Sequence, residues 1–209
     1  MELPDPRSQL PESTPPLPNE RFDVILADPP WHYKQVAGSP LLACPYPTLD
    51  LAQMCRLRVQ DIAKDNSVLF LWTTSTFMEQ SIQLMRAWGF SYVCVLFVWV
   101  KHYSLPGAYT LPRTEFVLLG KKGQSSKVLH VWASSSKNPP IQQVFLDESK
   151  RPPHSQKPAE IMRRMTDLVL PGKLKIELFC RKPVPGWCAW GDNVQTPDET
   201  EPPDDIMLS

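Results

Sequence analysis

Several common functional signatures are missing from this chain of 209 residues. It has no G-x-G-x-x-G, so the ordinary dinucleotide-binding fingerprint is missing, and it has no Walker loop, which counts against a nucleotide triphosphatase. No internal repeat is visible. Any nucleotide-like cofactor must therefore be held by another arrangement of residues.

Paired cysteines and long apolar runs are also lacking. The five cysteines are odd in number and none forms a Cys-x-x-Cys pair, so we expect neither a disulfide frame nor a metal site. Cys94 and Cys180 fall in predicted strands, which fits buried free thiols in a reducing compartment. No signal peptide opens the chain, and the longest apolar run, residues 92–100, is too short to span a bilayer. We expect a soluble intracellular protein of the cytoplasm or nucleus, without membrane contact.

Proline is abundant, and charge is unevenly distributed. The 24 prolines are about twice the usual share, and many of them lie near the two ends. Residues 1–20 carry four acids and one base, residues 192–209 carry six acids and no base, and residues 21–191 hold 21 Lys and Arg against 12 Asp and Glu. We predict a flexible Pro-rich arm over 1–20, one domain over 21–194 and an acidic tail over 195–209. A basic domain is compatible with a polyanionic substrate.

Apolar runs alternate with helical patterns along the domain. Predicted strands cover residues 22–27, 67–72, 92–100, 115–119, 128–132, 142–146, 173–181 and 187–190. Predicted helices run from a cap at Thr48 to about Arg58, from residues 73–76 to Trp88 with a stop at Gly89, and from Pro158 to about Leu168. This alternation predicts an α/β fold with a mostly parallel sheet and helices on both faces.

The most informative stretch is Asp28-Pro29-Pro30-Trp31, directly after the first strand. Two prolines cannot extend a strand, so the chain must turn at Asp28, where ligands of open α/β sheets usually bind. The Asp28 carboxylate and the Pro29 carbonyl could hold the two hydrogens of an aromatic amine and aim its lone pair, while Trp31 stacks on the base. A surface turn followed by a core tryptophan is the alternative.

Two long polar loops are candidate substrate contacts. Residues 32–47 follow the motif, and their Tyr33 and Tyr46 could line a base pocket or simply pack. Residues 101–113 combine basic and aromatic side chains, as nucleic-acid grooves do, and they include Lys101, His102 and Arg113. Lys157 lies at the start of a predicted helix, where an anionic ligand group is favoured.

An ordered set of segments resembles the MT-A70-type adenine-N6 methyltransferase family, which includes the eukaryotic mRNA adenosine methyltransferases. These segments cover about residues 22–194, and they are Ala27-Asp28-Pro29-Pro30-Trp31, Pro45-Tyr46-Pro47-Thr48-Leu49, Leu69-Phe70-Leu71-Trp72-Thr73, Trp88-Gly89-Phe90, Trp99-Val100-Lys101, His154-Ser155-Gln156-Lys157-Pro158, Lys175-Ile176-Glu177-Leu178-Phe179 with Arg181, and Gly186-Trp187 to Trp190-Gly191. The order of the segments makes the resemblance specific.

The resemblance implies a Rossmann-like class I methyltransferase domain with a permuted motif order and S-adenosylmethionine as its cofactor. It implies that Asp28 and Pro29 hold the target amine and that Pro30 and Trp31 complete the pocket. Cofactor contacts carried over from the family fall on Asp28, Pro30, Ser155, Lys157, Phe179, Arg181, Asp192 and Asn193. The chain departs from many relatives in reading Gly191-Asp192-Asn193 where they have Gly-Asn-Glu or Gly-Asn-Gln.

The expected activity is methyl transfer to the N6 amine of adenine in nucleic acid. We favour DNA over RNA because no zinc finger or recognisable RNA-binding module accompanies the domain. The alternatives are a catalytically silent subunit that binds nucleic acid or a protein partner, and methylation of another amine or amide nitrogen. An intact Asp28 and Lys157 disfavour the silent subunit.

Overall fold

The computed structural model describes residues 9–32, 47–104, 109–131, 141–148 and 157–191. Its strands are β1 (Phe22–Ala27), β2 (Ala63–Thr73), β3 (Ser91–Lys101), β4 (Thr114–Lys122), β5 (Val144–Asp147), β6 (Lys175–Leu178) and β7 (Cys188–Trp190). Its helices are α1 (Leu51–Arg56), α2 (Val59–Ile62), α3 (Met78–Ala87) and α4 (Ala159–Leu168), with 3₁₀ turns at Ser75–Phe77 and Ser125–Lys127.

The strands form one seven-stranded sheet in the order β5-β3-β4-β2-β1-β6-β7. β1 is parallel to both β2 and β6, β6 is parallel to β7, and β3 is parallel to β5. Only β4 runs the other way within this sheet, antiparallel to β2 and β3. The predicted mostly parallel α/β architecture is confirmed, and the start of β4 lies at the same edge as the carboxyl ends of its neighbours.

Each face of the sheet is covered by helices, as predicted. On one face Ile25 of β1 packs in a core with Met54 of α1 and Leu84 of α3. On the other face Leu26 packs in a core with Met165 of α4. Alternate β1 residues point to opposite faces, so this fully buried strand anchors both layers and holds the residue that follows it rigidly.

The first helix begins later than predicted. Asp50, not Thr48, caps α1: its side chain accepts from the Gln53 N–H at 2.8 Å, and the Gln53 side chain accepts from the Asp50 N–H at 2.9 Å. This reciprocal capping box satisfies two backbone donors, which a lone threonine could not do. Thr48 instead hydrogen-bonds the His32 ring at 2.9 Å.

Three strand predictions need correction. Residues 128–131 are not a strand, because Val128 and Leu129 turn into the core and Leu129 makes a single bridge to Val169. The last major strand ends at Leu178 because Phe179 has a left-handed backbone with φ of 60°. The first half of β3 is exposed instead of buried, because β5 pairs only with its second half.

The cysteine prediction is correct for only one of the two residues named. Cys180 is buried, whereas Cys94 is exposed because it lies in the uncovered half of β3. Both are free thiols, as predicted, and Cys180 lies just beyond the end of β6.

The Pro-rich arm also departs from its prediction over residues 9–20, which we expected to be flexible. Leu10 and Leu17 pack against the core on the α1 and α3 face. The Trp190 indole donates to the Pro16 carbonyl at 3.0 Å, and the Gln53 side chain donates to the Gln9 carbonyl at 2.9 Å. Two leucines and two backbone acceptors therefore attach this segment to the domain. No helix in the described part of the chain is long and apolar enough to cross a membrane.

Candidate active site at the carboxyl edge of the sheet

The buried strand β1 ends by placing Asp28 at the carboxyl edge of the sheet. After it the chain turns tightly, with the Trp31 N–H donating to the Pro29 carbonyl at 2.9 Å and the Leu49 N–H donating to the Pro30 carbonyl at 2.9 Å. The prolines fix their own φ angles, so the turn is stiff. Asp28 is thus presented on a rigid support, with its side chain 22% exposed.

Three further segments bring charged residues to Asp28. Lys157 lies two residues before α4, Glu115 is the second residue of β4, and Lys101 is the last residue of β3. Lys157 Nζ lies 2.8 Å from Asp28 Oδ2 and 3.3 Å from Glu115 Oε2, and Lys101 Nζ donates to Glu115 Oε1. We call these four residues the charge chain. Their charges alternate and sum to zero.

The charge chain is largely shielded from water, and two of its members, Lys157 and Glu115, have shifted pKa values. Burial works against the charge of Lys157, but the carboxylates of Asp28 and Glu115 raise its pKa well above the ordinary lysine value. Burial would raise the pKa of Glu115, yet Lys157 and Lys101 hold that pKa below its usual value. Lys157 and Glu115 are therefore both charged at neutral pH. Lys101 also lies over the Trp99 ring, and Lys157 lies over the Trp72 ring.

A second acid and a cysteine lie beside the charge chain. Burial raises the pKa of Glu177, and the nearby Asp28 raises it further against the opposing effects of Cys180 and Arg181. Burial and the Glu177 carboxylate raise the pKa of Cys180 to about 12, so its thiol is protonated and unreactive at neutral pH. Arg181 Nη2 lies 3.9 Å from Asp28 Oδ2 and extends the positive surroundings of that carboxylate.

A shallow cleft of about 100 Å³, open to solvent, lies against Asp28. It is lined by Pro11, Thr14, Asp28, Pro29, Pro30, Pro47, Leu49, Phe179, Cys180, Arg181 and Trp190. One wall thus comes from the N-terminal arm, one from the motif loop and one from the chain that follows β6.

The wall that follows β6 is unusually constrained. Phe179 keeps a positive φ, which costs a non-glycine residue free energy and is found mostly at functional sites. Its ring meets Trp190 edge to face at 5.5 Å. At Gly191 an added Cβ would lie 2.6 Å from the Cys180 carbonyl oxygen, so only glycine fits there. The two chain segments are therefore pressed together beside the cationic Arg181.

Trp31 is less open than its expected stacking role requires. It is buried and stacks on Phe77, with ring centroids 4.9 Å apart and planes 10° apart. One ring face is therefore occupied by the protein. Its indole Nε1 has no hydrogen-bond partner among the described residues, so a buried donor remains at the back of the motif loop.

The predicted substrate contacts do not share one environment in the structure. Lys101 is buried in the charge chain and does not face a nucleic-acid groove, which corrects the expectation drawn from the loop's composition. His102 and Arg113 are exposed at the same edge of the sheet. Tyr33, Tyr46, Ser155, Asp192 and Asn193 lie outside the described residues, and their roles stay predictions.

Three residues of the site were missed by sequence reasoning. Glu115 lies near the start of an otherwise apolar strand, just after a basic loop. An acid at such a position is a usable signal for a site residue. Pro11 and Thr14 lie in a segment whose composition resembles a disordered arm, and no sequence pattern indicated that they reach the cleft. Among the described residues, no cluster of His, Cys, Asp and Glu could hold a metal ion.

The mixed α/β sheet and the Asp28 loop at its carboxyl edge define a Rossmann-like methyltransferase domain. The sequence model of the MT-A70 family matches residues 22–193, and the chain belongs to that family. It is 36% identical over 207 residues to the type II methyltransferase M.MunI of Mycoplasma sp, covering 90% of this chain and 84% of that one.

Two further relatives are named for adenosine or adenine. Identity is 30% over 184 residues to the human N(6)-adenosine-methyltransferase catalytic subunit METTL3, covering 83% of this chain and 28% of METTL3. It is 28% over 188 residues to the mouse N(6)-adenine-specific methyltransferase METTL4, covering 83% of this chain and 37% of METTL4. The chain thus matches a minor part of these two proteins but most of M.MunI.

Proposed function

We propose that this protein transfers the methyl group of S-adenosylmethionine to the N6 amine of an adenine in DNA. The observation that carries the proposal is Asp28, held on a rigid proline turn at the edge of the cleft and backed by Lys157. The names of METTL3, an N(6)-adenosine-methyltransferase, and METTL4, an N(6)-adenine-specific methyltransferase, support the choice of base. We favour DNA because the chain matches most of a type II methyltransferase but only a minor part of the adenosine methyltransferase METTL3.

The site suits a weakly nucleophilic amine. The lone pair of the adenine amine is delocalised into the ring, so it must be localised before it can attack. Asp28 accepts one amine hydrogen and the Pro29 carbonyl accepts the other. The Pro29 oxygen already accepts the Trp31 N–H, and its second lone pair remains for the amine.

The cleft also fits the cofactor, judged by its donor set and shape. S-adenosylmethionine supplies an electrophilic methyl group on a sulfonium. Arg181 lines the cleft and supplies positive charge there, while Lys157 lies behind Asp28, and we assign it to the methionyl carboxylate on family resemblance. Pro30 and Phe179 provide apolar walls, and we assign Ser155, Asp192 and Asn193 to cofactor contacts on family resemblance.

The proton balance follows from the same residues. The amine gains a carbon substituent and must lose one proton, which Asp28 accepts at its carboxylate and passes to solvent through the open cleft. In the present structure Lys157 holds the Asp28 carboxylate at 2.8 Å. That ion pair positions the Asp28 carboxylate before the base arrives.

The variant Asp28→Asn tests this role. It keeps the shape of the side chain and removes the charge that holds the amine, so we expect methyl transfer to fall by at least about 100-fold, as when other preorganised polar groups are removed. The measurement pairs transfer of labelled methyl to duplex DNA with calorimetric binding of the cofactor product, S-adenosylhomocysteine. Asp61→Asn, which removes an exposed carboxylate of α2, is the matched control. Full activity in Asp28→Asn would refute the proposal.

A further inference from the structure

The loop between β3 and β4 leaves the sheet through a closed neck at the edge of the candidate site. The Lys101 N–H donates to the Arg113 carbonyl at 2.7 Å, and Arg113 Nε donates to the Lys101 carbonyl at 2.9 Å. Glu115 of the charge chain lies two residues beyond this neck. The base of the loop is therefore fixed to the residues that position Asp28.

This loop presents apolar side chains to water. Tyr109 is 100% exposed and Leu111 is 68% exposed. Tyr109 lies four residues before Arg113, so it can stand at most about 14 Å along the chain from the neck. A fully exposed tyrosine and a mostly exposed leucine contribute little to the fold, which indicates that they contact something else.

The charges of the loop indicate what that partner is. No Asp or Glu occurs between Lys101 and Thr114, while His102 and Arg113 are exposed there. Exposed aromatic rings beside cationic groups suit a ligand with flat π-faces and a negative backbone, which is a nucleic acid. An apolar protein surface would complement Tyr109 and Leu111 but would leave the cations unmatched.

The burial of the Asp28 side chain indicates a role for this loop in the reaction. Because the Asp28 side chain is only 22% exposed, an adenine inside a duplex cannot reach it without leaving the stack. Enzymes that act on a base offset the free energy of unstacking it with contacts of their own. An exposed aromatic side chain tethered near the site can make such a contact.

We propose that Tyr109 stacks on a DNA base beside the target adenine, with Leu111 packing next to it, and so stabilises the strand with the adenine turned out. This inference rests on the proposed function, since it assigns a role to the loop in the same reaction. Arg113, fixed at the neck, then faces the DNA backbone that runs past the site.

The test compares Tyr109→Ala with Tyr109→Phe and with Tyr92→Ala. Tyr92 is an exposed tyrosine near the start of β3, at the end of the strand away from the site, and serves as the matched control. The readouts are the Kd for fluorescein-labelled, adenine-containing single-stranded and duplex DNA, the KM for DNA in methyl transfer, and the Kd for S-adenosylhomocysteine.

We expect Tyr109→Ala to raise the Kd and KM for DNA by about 10-fold or more, the size of effect that one stacked base contributes. Tyr109→Phe keeps the ring and should stay within about twofold of the unaltered protein, as should Tyr92→Ala. Cofactor binding should be the same in all variants, because Tyr109 does not line the cleft.

Unchanged DNA binding and KM in Tyr109→Ala, with methyl transfer intact, would overturn this inference and leave the proposed function standing. Equal losses in Tyr109→Phe and Tyr109→Ala would also overturn it, since stacking needs only the ring. If the unaltered protein transfers no methyl group but binds DNA in a Tyr109-dependent way, the proposed function fails while the nucleic-acid surface is upheld.

Discussion

Replacing Glu115 by glutamine should destabilise the fold through the charge chain. Glu115 is the shared partner of Lys101 and Lys157, and its side chain is only 16% exposed. At 3.3 Å and an effective dielectric constant of 20, the Glu115–Lys157 attraction alone is worth about 5 kcal/mol before desolvation is counted. Removing one member of a buried pair costs about 3–5 kcal/mol, and the partial exposure reduces our expectation to about 2–4 kcal/mol.

The double variant Glu115→Gln/Lys101→Met separates this coupling from other effects. Lys101→Met alone leaves Lys157 to neutralise both Asp28 and Glu115, so it should also cost about 2–4 kcal/mol. In the double variant the remaining Lys157 and Asp28 charges again cancel. We expect its loss of stability to be smaller than the sum of the single losses by about 2 kcal/mol, within the range measured for contacting residues.

Urea unfolding followed by tryptophan fluorescence measures these differences, since the chain contains seven tryptophans. The exposed Arg58–Asp61 pair on α2 is the matched control, and Asp61→Asn should leave the unfolding midpoint almost unchanged. Residues that do not interact behave additively. If the loss of stability in the double variant equals the sum of the two single losses to within about 0.5 kcal/mol, the reasoning is refuted.

Three further predictions concern the walls and the far edge of the domain. Gly191→Ala should abolish binding of S-adenosylhomocysteine and lower the Tm below that of the unaltered protein, because its Cβ would lie 2.6 Å from the Cys180 carbonyl oxygen; an unchanged Tm would contradict this. Deleting residues 1–18 should shift Trp190 emission to the red and raise the Kd for S-adenosylhomocysteine, since Pro11 and Thr14 line the cleft; an unchanged Kd would remove the arm from the site. Burial opposes the charge of Asp23, yet Lys64 and the Leu174 N–H hold its pKa below normal, so its stabilisation is complete above the unfolded pKa near 3.9 and is lost as pH falls through the lower folded pKa. The free energy of unfolding of Asp23→Asn should therefore depend less on pH between about 5 and 2 than that of the unaltered protein. Unfolding curves measured across that window test this, and an equal dependence in the two proteins would contradict it.

Strand β1 and the loop that follows it could be predicted from sequence because they follow strong local rules. Five apolar residues among the six of residues 22–27 predict a buried strand, and two prolines force it to end at Asp28. The parallel alternation then places that residue at the ligand edge of the sheet. The place of Lys157 just before α4 could also be predicted, because Pro158 suits the start of a helix.

The partners of these residues could not be predicted, because they depend on strand order. Glu115 reaches Lys157 only because β4 runs antiparallel to β2 and starts at the ligand edge, and local sequence does not encode that direction. Lys101 belongs to a loop that looks like a nucleic-acid surface by composition. Its burial follows from the pairing of β3 with both β4 and β5.

The N-terminal arm shows a second limit of local reasoning. Its proline content is typical of a flexible segment, but Leu10 and Leu17 find apolar partners on the domain. Proline costs little when a segment needs no ladder hydrogen bonds, and Pro16 contributes a carbonyl to Trp190. Thr48 gives a similar lesson, because the Asp50–Gln53 pair satisfies more backbone groups than a threonine cap does.

The most direct test of the account is to identify the methylated nucleoside. The purified protein is incubated with labelled S-adenosylmethionine and duplex DNA, single-stranded DNA or RNA, and the polymers are digested and separated. The account predicts label in N6-methyladenine from DNA, and its loss in Asp28→Asn. Label in another nucleoside, or no label in any polymer while S-adenosylhomocysteine binds normally, would contradict it.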